Sequence, residues 1–154
     1  MNINDFKITE ESYKQQMMVY ARRTGTYGVE NAILMEKFKH WVADCGFMTD
    51  ETVILGIAQD DMRIIPPEQC RYDVVLLGNY ETNEEWIRTG VFQAGKYMVM
   101  ELPHTAEAIS LAWQEGIQTL LSKGIKLDFS KPVIERYQKR MVDKHLCEML
   151  LPIY

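Results

Sequence analysis

Two glycines at a fixed separation constrain this chain more than any other feature. Gly46 and Gly124 lie 78 positions apart (124 − 46), each just past an apolar helical stripe, and each is followed by an apolar residue, Phe47 or Ile125. Before Gly46, the residues Leu34, Phe38, Trp41, Val42 and Cys45 fall at i, i+4, i+7, i+8 and i+11. That spacing predicts one face of an amphipathic helix over Val29 to Cys45, with glycine ending it. Before Gly124, the residues Ile109, Trp113, Ile117, Leu120 and Leu121 repeat the pattern. Apolar, β-branched runs predict strands in the same order around both helices. They are Gln15 to Arg22, Thr52 to Ala58 and Tyr72 to Leu77, then Lys96 to Leu102, Pro132 to Tyr137 and Leu146 to Leu151.

The fold class read from this order is α/β of the α+β kind, with two pseudo-symmetric β-α-β-β repeats over about residues 15–78 and 96–153. The strands are expected to form an antiparallel sheet with both helices on one face and a central ligand cleft. A polar linker around Asn79 to Gly95 joins the repeats, and one domain spans residues 1–154.

Net charge is −5 with a pI near 5.2. Such a chain repels a phosphate backbone, so direct nucleic-acid binding is not expected. Arg22-Arg23 and the run Arg136 to Lys144 read as solvated faces. Cys45, Cys70 and Cys147 lie far apart, as reduced core thiols do. The polar N-terminus carries no signal region, and no stretch reaches the roughly 20 apolar residues of a membrane span. A cytoplasmic protein with no membrane partner is the expectation. His40, His104 and His145 have no ligand spacing with cysteines or acids, so neither a metal nor another cofactor is expected. G-x-S-x-G, P-loop and G-x-G-x-x-G motifs are absent.

Glu148 stands out, because Leu146-Cys147-Glu148-Met149-Leu150-Leu151 is otherwise apolar on both faces. Burying an unpaired carboxylate costs several kcal/mol, so this side chain must be protonated, paired or facing a cavity. In a cavity it is a counter-ion for a bound cation or a general acid/base. Glu135 and Tyr137, two apart on one strand, share a face and converge near Glu148 if that face is the cleft side. Glu101 and Asp73 lie near strand ends and are weaker candidates. Tyr27, Trp41, Tyr72, Trp86, Phe92, Tyr97, Trp113 and Tyr137 form an aromatic set that suits a flat apolar or cationic guest. For Trp41 and Trp113 individually, at helical spacing, core packing is the better explanation.

The motifs resemble a known family. Arg23-Thr24-Gly25-Thr26-Tyr27-Gly28 is similar to the arginine-, glycine- and tyrosine-containing turn of GyrI-like domains, the effector-binding domains of AraC- and MerR-type regulators. Gly56-Ile57-Ala58-Gln59-Asp60-Asp61 and Pro66-Pro67-Glu68-Gln69-Cys70-Arg71-Tyr72-Asp73 resemble its central signature. Gly95-Lys96-Tyr97, Ala112-Trp113, Glu135-Arg136-Tyr137 and Cys147 to Pro152 resemble its second half. The resemblance implies the doubled fold and a cleft whose deep carboxylate is Glu148. Pro103-His104-Thr105 departs from the family's second G-P-Y turn. About a dozen residues precede the first strand, too few for a helix-turn-helix, so a stand-alone effector domain is expected.

Three functions follow. The first is a binding module for amphipathic, cationic or aromatic molecules, with Glu148 as counter-ion. The second is a hydrolase of reactive xenobiotics, with Glu148 and Tyr137 as catalytic groups. The third is a gyrase-modulating interaction with a protein partner, which no residue here marks.

Overall fold

The computed structural model describes residues 1–154. A short 3₁₀ turn leads into strand β1 (Lys7–Tyr13), followed by β2 (Gln16–Thr24), helix α1 (Val29–Asp44), β3 (Val53–Ala58) and β4 (Arg71–Leu77). The second half runs β5 (Arg88–Phe92), β6 (Gly95–Pro103), α2 (Ala106–Ser122), β7 (Ile134–Gln138), the one-turn α3 (Lys139–Val142) and β8 (Leu146–Ile153). All eight strands form one antiparallel sheet in the order β1-β6-β8-β7-β3-β4-β2-β5. No helix is long and apolar enough to cross a membrane.

The two helices end alike. Gly46 and Gly124 hold φ of +76° and +79°, a region open to glycine at little cost. The following N–H groups reach back five residues, Phe47 to the Val42 carbonyl and Ile125 to the Leu120 carbonyl. That bond satisfies carbonyls the helix leaves without a partner. α2 also starts on a side-chain cap, with Thr105 Oγ1 accepting from the Ala108 N–H at 3.1 Å.

Packing differs from the expected stripe in α2. Its buried residues are Ala108, Ala112, Gly116 and Leu120, a row of mostly small side chains that lets the helix lie close on β6 and β8. Trp113 and Leu121 turn partly outward as a result. Three apolar clusters make the core. One lies beneath α2, a second beneath α1, and a third on the opposite face of the sheet. The sheet curls around that third cluster until Tyr13 of β1 meets Phe92 of β5, ring centroids 5.3 Å apart, although these strands are its two edges.

β1 and β5 fall in segments that the periodicity assigns to a polar terminus and a linker. Each buries little, so neither shows a strand's alternation. Their partners are remote: β1 precedes the first repeat yet pairs with β6 of the second, and β5 precedes the second yet pairs with β2 of the first.

Registers define the internal two-fold. β2 and β6 coincide at an offset of 79 at both ends, Gln16 to Gly95 and Thr24 to Pro103. β4 and β8 begin 75 apart, at Arg71 and Leu146. Gly56 pairs with Val74 and Glu135 with Met149, and Val74 and Met149 are also 75 apart. Gly56 and Glu135, 79 apart, are therefore equivalent. They also pair directly across the junction of β3 and β7. The pseudo-dyad passes between them.

Candidate functional site

Glu135 and Gly56 sit at the centre of the sheet, on the face that carries both helices, and the space between α1 and α2 opens above them. It is a cavity of about 650 Å³. Tyr27 and Asn31 wall it on the α1 side, Trp113 and Ile117 on the α2 side, with Tyr72 beside Glu135 at the floor. Met62 and Phe129 stand at its mouth, both largely exposed. A smaller hollow of about 330 Å³ continues past Glu135, lined by Met35, Lys39, His104 and Tyr137, and shares Asn31, Tyr72 and Glu135 with the first.

Gly56 is required by contact rather than by backbone angle. A Cβ there would meet Tyr72 Oη at 2.7 Å, Met35 Cε at 3.3 Å and Glu135 Oε1 at 3.6 Å. The missing side chain is the space in which phenol and carboxylate lie.

Glu135 Oε2 accepts from the Trp113 indole N–H at 3.1 Å. Burial holds the carboxyl above its ordinary pKa, against the opposing pull of that N–H. Tyr137 and Tyr72 flank it, and burial followed by the nearby Glu135 charge raises both phenols. Burial and the same charge push the Cys147 thiol up to about 12, so it is an inert protonated core group.

The two most specific sequence motifs meet at the cleft's α1 wall. The Gly25 N–H donates to the Cys70 carbonyl at 2.8 Å. The Tyr27 hydroxyl donates to the Arg71 carbonyl at 2.7 Å and accepts from the Asp60 N–H at 3.1 Å. Asp60 is held in turn by Arg71, through Nε at 2.9 Å and Nη2 at 2.8 Å, and that pair keeps its carboxyl below the usual range. Arg23 Nη1 donates to Asn31 Oδ1 at 2.5 Å, fixing the turn onto α1.

Of the residues expected at the site, Glu135, Tyr137, Trp113 and Tyr27 line this space. Glu148 does not. Its register partner on β7 is Arg136, so Glu148 shares the face of Arg136 and lies opposite that of Glu135. There Arg136 Nε and Nη2 grip its two oxygens at 2.8 and 2.7 Å. Nη1 of the same guanidinium donates to Tyr13 Oη at 2.8 Å and lies 2.9 Å from Glu11 Oε2. The expectation of Glu148 as the cleft carboxylate, and as a catalytic group there, is thus corrected. Arg136 is 6% exposed and no solvated-face residue.

Tyr97 is corrected for the same reason, packing on the far face 6.1 Å from Tyr13. Trp41 is buried among Phe38, Phe47 and Trp86 and lines neither hollow. Asp73 is clasped by Arg22 at 2.7 and 2.8 Å, also on the far face. Tyr72, from the aromatic set, lies there too, and Gly56, Asn31 and His104 are lining residues not expected from the sequence. For Gly56 the signal was available, since glycine interrupts an otherwise apolar, β-branched strand, which often marks a close approach.

The family described as GyrI-like small molecule binding domain matches residues 6–154. Over 149 residues the chain is 41% identical to YosT of Bacillus subtilis (strain 168), an SPbeta prophage-derived protein named as a candidate transcriptional regulator, covering 96% of this chain and 99% of that one. The C-terminal domain of EcmrR superposes with a TM-score of 0.71 at 12% identity, over 97% of this chain and 98% of that domain. Against the EcmrR chain in its DNA complex, this chain spans 57% of the length. SAV2435, solved with tetraphenylphosphonium bound, superposes with a TM-score of 0.64 at 16% identity, over 96% of this chain and 94% of that one.

Proposed function

The chain belongs to the GyrI-like small-molecule-binding domain family, and on that premise we propose that it binds amphipathic aromatic cations between α1 and α2, with Glu135 as counter-charge. One observation carries this reading. Glu135 is a half-buried carboxyl at the floor of a cavity of about 650 Å³, with one N–H from Trp113, the Tyr137 phenol alongside and no cationic partner. Removing that charge from water is costly, and a cationic guest offsets the cost. Glu148 and Asp73, by contrast, already hold arginines. The aromatic rings of Tyr27, Tyr72, Trp113 and Phe129 supply apolar area and cation–π contacts of about 0.5–2 kcal/mol each. Tetraphenylphosphonium bound to SAV2435 is a guest of this chemistry on the same fold.

The test is calorimetric titration with tetraphenylphosphonium at pH 7.5. Wild-type protein is expected to bind one equivalent, and Glu135→Gln to lose at least about tenfold in affinity, because only the charge is removed. Equal affinity for the two proteins sinks the reading.

A second reading uses the same carboxyl as a general acid/base in hydrolysis. Its raised pKa, with the Tyr137 phenol alongside, favours it. Turnover of an activated ester that vanishes in Glu135→Gln, with binding of the uncharged substrate retained, supports catalysis over recognition.

A further inference from the structure

The proposed function leaves the inner hollow unused, and its chemistry differs from that of the outer chamber. Lys39 of α1 reaches into it, with its ammonium 5.1 Å from the Tyr137 ring centroid. Its nearest carboxylate is Glu36 Oε1 at 3.8 Å, one turn away on the same helix, which also lines the hollow but lies mostly in solvent. A long, solvated i,i+3 pair of this kind holds its lysine weakly. His104 lies against Tyr137 with the rings tilted by 43°, centroids 5.3 Å apart. Burial, and then the positive charge of Lys39, hold His104 below the ordinary imidazole pKa. A neutral imidazole keeps one N–H to donate.

The cleft is thus polarised along its length. Glu135 stands at the waist shared by both chambers, and beyond it stand an imidazole and an ammonium held only by the long, solvated pair with Glu36. A guest cation is attracted to the waist and repelled from the inner hollow by Lys39. A hydrogen-bond-accepting anion is favoured in the reverse order. The hollow, about 330 Å³, has room for a ring bearing a carboxylate.

We infer that the inner hollow is a second subsite that takes a carboxylate through Lys39 and His104, so that the preferred ligand is a zwitterion, an aryl cation carrying a carboxylate at its far end. The inference rests on Glu135 holding the cationic end.

Two probes test it: a biphenyl with a trimethylammoniomethyl group, and the same molecule with a carboxylate on the far ring. Calorimetry at pH 7.5 with wild-type protein is expected to show about a tenfold preference for the carboxylate-bearing probe, the worth of one charge-assisted hydrogen bond. Lys39→Met is expected to reduce the ratio of the two affinities to about one, and Lys39→Arg to keep most of it. Lys39 lies on a helix surface, and matching melting temperatures check that the variants fold. Equal affinity for the two probes in wild-type protein, or a preference that survives Lys39→Met, overturns the subsite. If neither probe binds wild-type protein, the Glu135 reading itself fails and the subsite goes with it.

Discussion

Gly56 and Glu135 are register partners across the β3–β7 junction and also equivalent residues of the two repeats. Strict symmetry would set two identical side chains against each other there. Two glutamates would oppose like charges in a buried site, and two glycines would leave it uncharged. The chain departs from symmetry where the pseudo-dyad crosses the sheet. Glycine makes the room, and glutamate supplies the charge.

Gly56→Ala tests the room. The added methyl lies 2.7 Å from Tyr72 Oη, which must shift into the cleft or into the core. Overpacking of this kind costs about 1–3 kcal/mol. Urea denaturation should show that loss, and tetraphenylphosphonium affinity should fall with it. A variant as stable as wild type would mean that Tyr72 and Met35 yield freely.

Glu135 should make stability depend on pH. An unfolded glutamate titrates near 4.5, and burial places the folded carboxyl above that. The folded state therefore holds the proton more tightly. This contribution is complete below about 4.5 and is lost as pH rises through the folded pKa. Thermal melts from pH 4 to 8 should show Glu135→Gln gaining on wild type across that window. Affinity for a cation should run the other way, rising with pH in wild type and staying flat in the glutamine variant.

Glu148 and Glu135 should separate by phenotype. Arg136→Met strands Glu148 on the far face and is expected to cost about 3–5 kcal/mol, and Glu148→Leu, which leaves the arginine Glu11 and Tyr13, to cost less. The double variant should recover most of the loss. Because this pair faces away from the cleft, Glu148→Gln should leave tetraphenylphosphonium affinity within about twofold of wild type once folding is matched. A large affinity loss in Glu148→Gln with intact folding would return the site to Glu148.

The helix-ending glycines should behave as a pair. At φ of +76° and +79° a Cβ meets backbone strain but no neighbour within 4 Å. Gly46→Ala and Gly124→Ala are each expected to cost about 1–2 kcal/mol, nearly equally, by chemical denaturation. Unequal losses would mean that the two helix ends carry different loads.

Sequence alone determined the repeated order of strands and helices, because a 3.6-residue stripe ended by glycine and a β-branched run are local signals. It also determined that Glu135 and Tyr137 share a face, since strand side chains alternate. Which face that is, it could not determine. Glu135 of β7 and Glu148 of β8 are each the one acid of their strand, and only the register that sets Glu148 beside Arg136 sends one to the cleft and the other to an ion pair. The same holds for Tyr97, turned inward by the curl of the sheet, and for β1 and β5, whose partners lie in the opposite repeat. Parity along a strand is written in neighbouring residues. The side of the sheet a residue faces is decided by contacts between segments far apart in the chain, and those exist only after folding.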